Sequence, residues 1–358
     1  MQHWFSVVMA GGGGTRLWPA SRPQRPKQLM SVTGKRSLLA DTVGRAGQLT
    51  GLDQVLVVTR ADQVDASIED VPELGKDRFL AEPVGRNTAA CIGLAAVVLR
   101  HEDPDAVMAV LPADHFILDE EGFVATARRA MERAESAGIV TLGIRPSRPE
   151  TGYGYIEMGE VADDRLGVYR AVRFVEKPDL ATAKQYLESG RFLWNSGMFF
   201  MRAERILAEM ERLMPDLFEA LAEISAALER KDGSFQAVLT RVYPGLQPLS
   251  IDYGVMEKVP SMEVIPSEFG WNDVGSWSAL ELIHEPDDRG NVAVGDPVIL
   301  DAEGSIVYCD DGRPIAVLGV SDLVVVSSEA GVLVVPKSRA QEVRRIVAEL
   351  EGRNKGGR

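Results

Sequence analysis

The sequence predicts an α/β protein, with a mixed, mainly parallel sheet covered by helices and a small all-β module after it. Three features carry this reading. Over the first 145 residues short apolar runs alternate with segments of helical periodicity, the order that builds parallel strands joined by helical crossovers. The apolar runs are nearly continuous, as in strands buried on both faces. After about residue 286 short β runs recur between Gly, Asp and Ser turns, the pattern of a small β module.

Residues 4–10 (WFSVVMA) read as a strand entering a glycine loop, and 37–49 as a helix. Strands at 53–59, 78–83, 106–112 and 139–144 alternate with helices at 62–70, 87–101 and 120–138. Then the rhythm changes. Residues 151–159 and 166–178 alternate apolar and polar positions, which predicts half-exposed antiparallel strands. Helices are expected at 179–189, 203–230 and 276–284, and strands at 194–201 and 262–267. The β module has near-regular spacing, so a solenoid is expected, with a left-handed β-helix as the candidate form. A helix over 338–351 would close it. The expected division is 1–285, 286–352 and a disordered tail at 353–358.

Composition narrows the function. The 358 residues hold 53 acidic and 39 basic side chains, a net charge of −14. That argues against nucleic acid or an anionic membrane as partner, because both require a basic footprint. Two cysteines, Cys91 and Cys309, without CxxC spacing suit a cytoplasmic protein and exclude a disulfide scaffold. Four histidines without an HExxH motif make a histidine-based active site a poor expectation. The longest uncharged apolar run, 89–99, is too short to span a bilayer. The N-terminus lacks the basic start and long apolar stretch of a signal peptide.

The most informative stretch is 9–28, MAGGGGTRLWPASRPQRPKQ. It follows the first strand, where backbone amides can cradle phosphate, and Gly11, Gly12, Gly13 and Gly14 permit close approach. Thr15 adds a hydroxyl, and Arg16 and Lys27 add positive charge. The loop is neither a Walker motif, since Gly14-Thr15-Arg16 stands where GK[ST] is required, nor a dinucleotide fingerprint. Asp114 lies just past the fourth strand, on the edge where open sheets bind ligands. It would serve there as a ligand for Mg²⁺ or as a helix N-cap.

GGGGTRLWPxSRPxxPKQ resembles the signature of sugar-phosphate nucleotidyltransferases, and Trp18-Pro19 with Ser21-Arg22 that of the mannose-1-phosphate guanylyltransferases. Further blocks match in family order: LAEPVGRNTAA (80–90), LPADH (111–115), RPETGYGYIE (148–157), FVEKPD (174–179), WNSGMF (194–199), SIDYGVMEK (250–258) and WNDVGSW (271–277). Gly13 stands where Ser is expected. The resemblance implies a Rossmann-like nucleotidyltransferase domain, in a short form without the isomerase domain of longer relatives. It implies GTP and mannose 1-phosphate as substrates, GDP-mannose and diphosphate as products, and a homodimer formed through the β module.

By the same resemblance Asp114 and Asp273 are Mg²⁺ ligands, and Arg16, Lys27 and Lys177 the cations that act on phosphate. Glu176 and Asn195 contact sugar hydroxyls, with Gly152 and Gly154 allowing the backbone to approach. Glu82 and Asn87 select guanine, the alternative being that Glu82 pairs with Arg86 and only orders its loop. On a regular strand Glu176 and Lys177 would point to opposite faces and could not pair. Two other classes fit less well. A metal-dependent sugar transferase needs a DxD motif at a strand's C-terminal end, and Asp103-Pro104-Asp105 precedes its strand. A regulatory subunit that had lost the chemistry would not keep the five charged residues.

Overall fold

In the computed structural model, which describes residues 3–12, 14–136 and 138–356, the expected strands join into one nine-stranded sheet. In chain order the strands are β1 (Trp4–Met9), β2 (Val55–Arg60), β3 (Phe79–Glu82), β4 (Val107–Pro112), a two-residue β5 (Phe116–Ile117), β6 (Ile139–Ile144), β7 (Tyr155–Asp163), β8 (Val168–Val175), β9 (Phe192–Arg202), β10 (Met262–Ser267) and β11 (Trp271–Asn272). The sheet order is β3-β2-β1-β4-β9-β6-β10-β8-β7, and β5 pairs with β11 outside it. β8 and β9 run against the rest. The sheet is therefore mixed but mainly parallel.

Helices cover both faces. α1 (Leu38–Thr50), α2 (Val64–Asp70), α4 (Glu120–Ser136) and α5 (Leu180–Ser189) pack on one, and α3 (Asn87–Glu102), α6 (Ala203–Leu213), α7 (Pro215–Arg230) and α8 (Phe235–Val242) on the other. Neighbouring strand residues feed different cores: Val7 faces α3 and Val8 faces α1. This is why the central strands read as unbroken apolar runs. α3 lies so close to its neighbours that a Cβ on Gly93 would stand 2.5 Å from Leu221. Ser37 caps α1 by accepting the Ala40 amide at 2.9 Å.

The C-terminal module is a short parallel solenoid. β12 (Val292–Val294), β13 (Val298–Leu300), β14 (Ile306–Cys309), β15 (Ala316–Leu318), β16 (Leu323–Ser328) and β17 (Gly331–Pro336) form it. β12, β14 and β16 stack in parallel, with Val292 opposite Ile306 and Ile306 opposite Val324. β13 and β15 stack the same way on a second face, and β17 closes antiparallel on β16.

Four expectations are corrected. The helix expected over 203–230 is two helices, broken at Met214, because Pro215 takes the first position of α7 and cannot continue α6. The helix expected over 276–284 is a 3₁₀ turn, Trp277–Leu282. The closing helix, α9 (Val343–Gly356), follows a 3₁₀ turn at Lys337–Glu342 and extends into the segment expected to be disordered. Residues 357–358 lie outside the described residues. α8 is an addition that the sequence pattern does not predict.

A third core joins this module to the signature loop. Leu17, Ala20, Met30 and Val32 of the loop pack with Trp277, Tyr308, Val324 and Val343. Trp277 is fully buried and donates its indole N–H to the Trp18 carbonyl at 3.1 Å. Replacing Trp277 by Ala should therefore lower stability by about 3–5 kcal/mol through the cavity left behind. A fall in the urea midpoint with an unchanged slope is the expected result, and an unshifted midpoint contradicts the role assigned to Trp277.

Candidate active site

The loop after β1 turns back through a 3₁₀ turn, Thr15–Leu17, and a second one, Lys27–Leu29. Gly14 takes a left-handed φ of 56°, and a Cβ on it would stand 2.5 Å from Lys27 Cβ. Only glycine fits there. The Lys27 side chain is thereby led inward and is 10% exposed. Its ammonium donates to Asp114 Oδ2 at 2.8 Å and to the main-chain carbonyl of Asp273. One lysine thus brings together the loop, the end of β4 and the turn after β11. Gly13 lies outside the described residues.

Burial pushes the Asp114 carboxyl up, but the Lys27 ammonium, His115 and the hydrogen bonds to the carboxyl together hold it below the ordinary carboxylate range. Asp273 Oδ1 accepts the Tyr153 hydroxyl at 2.6 Å. The next residue, Val274, has φ 47°, a strained conformation for a β-branched residue. The Asn272 side chain holds it there by accepting its amide at 2.7 Å. His115 accepts the Trp271 indole N–H on Nδ1 at 3.1 Å, and burial holds its pKa down. It packs edge-on against the Trp271 ring, with ring centroids 5.3 Å apart.

Two cavities are lined by the partners of this lysine, Asp114 in one and Asp273 in the other. One of about 360 Å³ is lined by Gly11, Gly12, Glu82, Asn87, Asp114 and Asp252 among others. The second, of about 500 Å³, is lined by Arg16, Arg148, Gly152, Tyr153, Lys177 and Asp273 among others. Glu82 is buried, and its Oε1 accepts the Tyr243 hydroxyl. Burial raises its carboxyl above the usual range. Arg86 does not pair with it, donating instead to the Pro244 carbonyl. Gly11 runs close to Glu82, whose Oε2 would lie 3.3 Å from a Cβ there. Asn87 opens α3 with φ 66°. Thr15 and Arg16 are exposed at the loop's turn.

Glu176 and Lys177 do not point apart as the strand pattern predicted. β8 ends at Val175 and Lys177 takes φ 48°, so its ammonium folds back onto Glu176 Oε1 at 2.5 Å. Gly154 is required opposite this pair, because a Cβ on it would stand 2.5 Å from Glu176 Oε2 and 3.3 Å from Asn195. The Asn195 amide donates to Asp252 Oδ1 at 3.0 Å and accepts the Gly197 amide at 3.0 Å. Sequence reasoning assigns no role to Tyr153, Tyr243 or Asp252. Tyr153 and Asp252 stand inside recognised motif blocks, while Tyr243 carries no local signal.

A glycine loop on a mixed α/β sheet, a buried lysine between two acidic turns and two cavities lined by those turns suit an enzyme that handles phosphate. Comparison with known proteins is specific. The Nucleotidyl transferase family matches residues 5–289, and the MannoseP isomerase/GMP-like beta-helix domain matches residues 295–350. An Escherichia coli (strain K12) protein named mannose-1-phosphate guanylyltransferase is 39% identical over 353 residues, covering 97% of this chain and 73% of that protein. The alginate biosynthesis protein AlgA of Pseudomonas aeruginosa is 38% identical, covering 98% of this chain and 72% of its own length. A crystal structure from Thermus thermophilus, described as a mannose-1-phosphate geranyltransferase, superposes with a TM-score of 0.88 at 40% identity, covering 98% of this chain and all of that one. The chain belongs to the nucleotidyl transferase family, and it is a nucleotidyltransferase. Among the described residues no helix is long and apolar enough to cross a membrane.

Lys27→Met should raise the Asp114 pKa in the metal-free protein, since burial then loses its strongest opposing charge. The sign for stability follows. In the native protein the lowered pKa contributes stability at neutral pH that is lost as pH falls through the folded value, and the variant forfeits this contribution. Carboxyl ¹³C titration by NMR reads it, and an unmoved Asp114 midpoint refutes Lys27 as the cause.

Proposed function

We propose that the chain transfers the guanylyl group of GTP to α-D-mannose 1-phosphate, giving GDP-mannose and diphosphate. The reaction type rests on one observation, Lys27 bonded to Asp114 on the wall of one cavity and to Asp273 on the wall of another. The choice of substrates rests on the names of relatives that align over nearly the whole chain. The two free thiols, Cys91 and Cys309, suit a cytoplasmic setting.

The nucleophile is the sugar phosphate, which carries its own negative charge, so no protein base has to create it. The difficulty is repulsion between anions and charge growing on the departing diphosphate. Lys27, Arg16 and Lys177 meet both by fixed positive charge around the reacting phosphates. Attack on the α-phosphorus is direct and in line. Asp114 Oδ1 and Asp273 Oδ2 accept no hydrogen bond among the described residues. Two free carboxylate oxygens suit a hard divalent cation, and we assign Mg²⁺ to these two residues. When bound, it supplies further neutralisation and orientation of phosphate oxygens.

Glu82 supports the choice of guanine, whose N1–H and N2–H₂ are adjacent donors that one carboxylate can accept. Adenine would set an N1 lone pair against it. A polar group left unpaired in this way rejects the wrong ligand by up to ~10⁴–10⁵.

Diphosphate release should be fastest with GTP and mannose 1-phosphate in a panel of GTP, ATP and UTP against mannose and glucose 1-phosphates. A different best pair refutes the substrate assignment. Asp114→Asn and Asp273→Asn should cut turnover by several orders of magnitude at saturating Mg²⁺, and Lys177→Ala by about 10²–10³. Near-normal turnover in all three sinks the site. Glu82→Gln should narrow the preference for GTP over ATP and UTP, and an unchanged ratio would make Glu82 structural.

A further inference from the structure

We propose that Asp252 is the group that reads the hexose hydroxyls, with Asn195 as the residue that positions it. This rests on the sugar 1-phosphate reading above and deepens it. The sequence pointed to Asn195 as the sugar contact. Its amide, however, is engaged within the protein at both atoms, to Asp252 Oδ1 and from the Gly197 N–H. Asp252 Oδ2 accepts no hydrogen bond among the described residues, and Asp252 lines the 360 Å³ cavity together with Gly197 and Phe199. A carboxylate oxygen without a partner on a cavity wall is an acceptor in want of a donor.

The backbone supports the same assignment. Asp252 opens a π-turn, Asp252–Met256, in which the Glu257 amide reaches the Asp252 carbonyl at 3.0 Å. Such turns are rare and concentrate at functional sites. This one is seated firmly. A Cβ on Gly254 would stand 2.5 Å from Met214 Sδ, and the Ile251 amide donates to Thr88 Oγ1 at 2.8 Å. Thr88 follows Asn87, which lines the same cavity. Charge then selects the ligand. Burial first, and the neighbouring Glu176 carboxylate second, push Asp252 up to about 6. The Lys177 ammonium is already paired to Glu176. The Glu176 and Asp252 carboxylates beside that ammonium suit a polyol, whose O–H groups they can accept, next to the phosphate that Lys177 would meet.

The test combines variants with substrates that lack one hydroxyl. The full chain is assayed with GTP, Mg²⁺, mannose 1-phosphate and its 2-, 3- and 4-deoxy analogues. Asp252→Asn should raise the KM for mannose 1-phosphate about tenfold or more and leave that for GTP within about twofold, the scale of one lost charged hydrogen bond. One deoxy analogue should lose roughly 10–100-fold in kcat/KM with the native protein and little further with the variant, since both changes delete the same contact. Asn195→Ala should weaken the penalty at that same hydroxyl, which keeps the test readable if Asp252→Asn folds poorly. A larger KM change for GTP, or deoxy penalties undiminished in both variants while the native enzyme is active, would overturn the role of Asp252 alone. A native protein inactive toward every hexose 1-phosphate would overturn the reading beneath it, and this proposal with it.

Discussion

The Lys27 ammonium, held between the Asp114 carboxylate and the Asp273 carbonyl, is the interaction on which the site depends. Taking an ammonium out of water costs several kcal/mol, and a buried pair rarely recovers all of it. Such an arrangement is weak evidence for stability, and its value here is positional. Three segments distant in sequence must converge for it to form. Two of them show a local constraint that the convergence explains. Gly14 is left-handed because Lys27 fills the place of any Cβ. Val274 is strained because Asp273 must turn its carbonyl to Lys27 and its carboxylate to Tyr153. A non-glycine residue at positive φ costs of order 1–3 kcal/mol and persists only where its surroundings over-determine it. Val274 is fixed by the Asn272 cap and by burial.

The solenoid explains how the segment after the glycine run is held in place. A glycine run is entropically costly to order, so something outside it must supply the fixing contacts. The Tyr308 hydroxyl donates to the Ser31 carbonyl at 3.0 Å, and Arg25 pairs with Asp310 at 2.7 Å. With the Trp277 bond to Trp18, these tie the loop to the C-terminal module on several sides. Gln341, from the turn before α9, even lines the second cavity. Module and catalytic domain therefore share a core and not merely a linker.

What is legible in the sequence follows from how far each signal reaches. Apolar runs buried on both faces locate the strands to within a few residues, because burial is a local demand on each residue. The motif blocks locate Asp114, Lys27, Glu176 and Asp273 for the same reason. Non-local partners are not legible. Nothing near Tyr243 signals that its hydroxyl will reach Glu82, which lies 161 residues away. Alternation misleads at Glu176 and Lys177 because it holds only while the strand continues, and Pro178 follows at once. That proline ends the ladder, and Lys177 before it leaves the strand with φ 48°. The break at Met214-Pro215 is masked because the apolar spacing of α6 and α7 runs on across it.

The distribution of charge reconciles an acidic protein with a polyanionic substrate. The net charge of −14 would repel a nucleoside triphosphate at long range. Within the site the signs are sorted by position. Cations cluster where phosphates would lie: Lys27 between Asp114 and Asp273, and Arg16, Arg148 and Lys177 around the second cavity. Some carboxylates pair with these cations, Asp114 with Lys27 and Glu176 with Lys177, whereas Glu82 and Asp252 line the other cavity. A nucleotide joined to a sugar has the matching pattern, with N–H donors on the base, O–H donors on the hexose and anionic oxygens between. Burial that raises the pKa of both carboxylates also makes each a stronger acceptor once ionised, and a costlier one to leave unpaired. On the proposed reaction, specificity then comes from Glu82 and Asp252 and rate from the cations that meet phosphate. The two properties should respond separately to substitution, because no one side chain serves both.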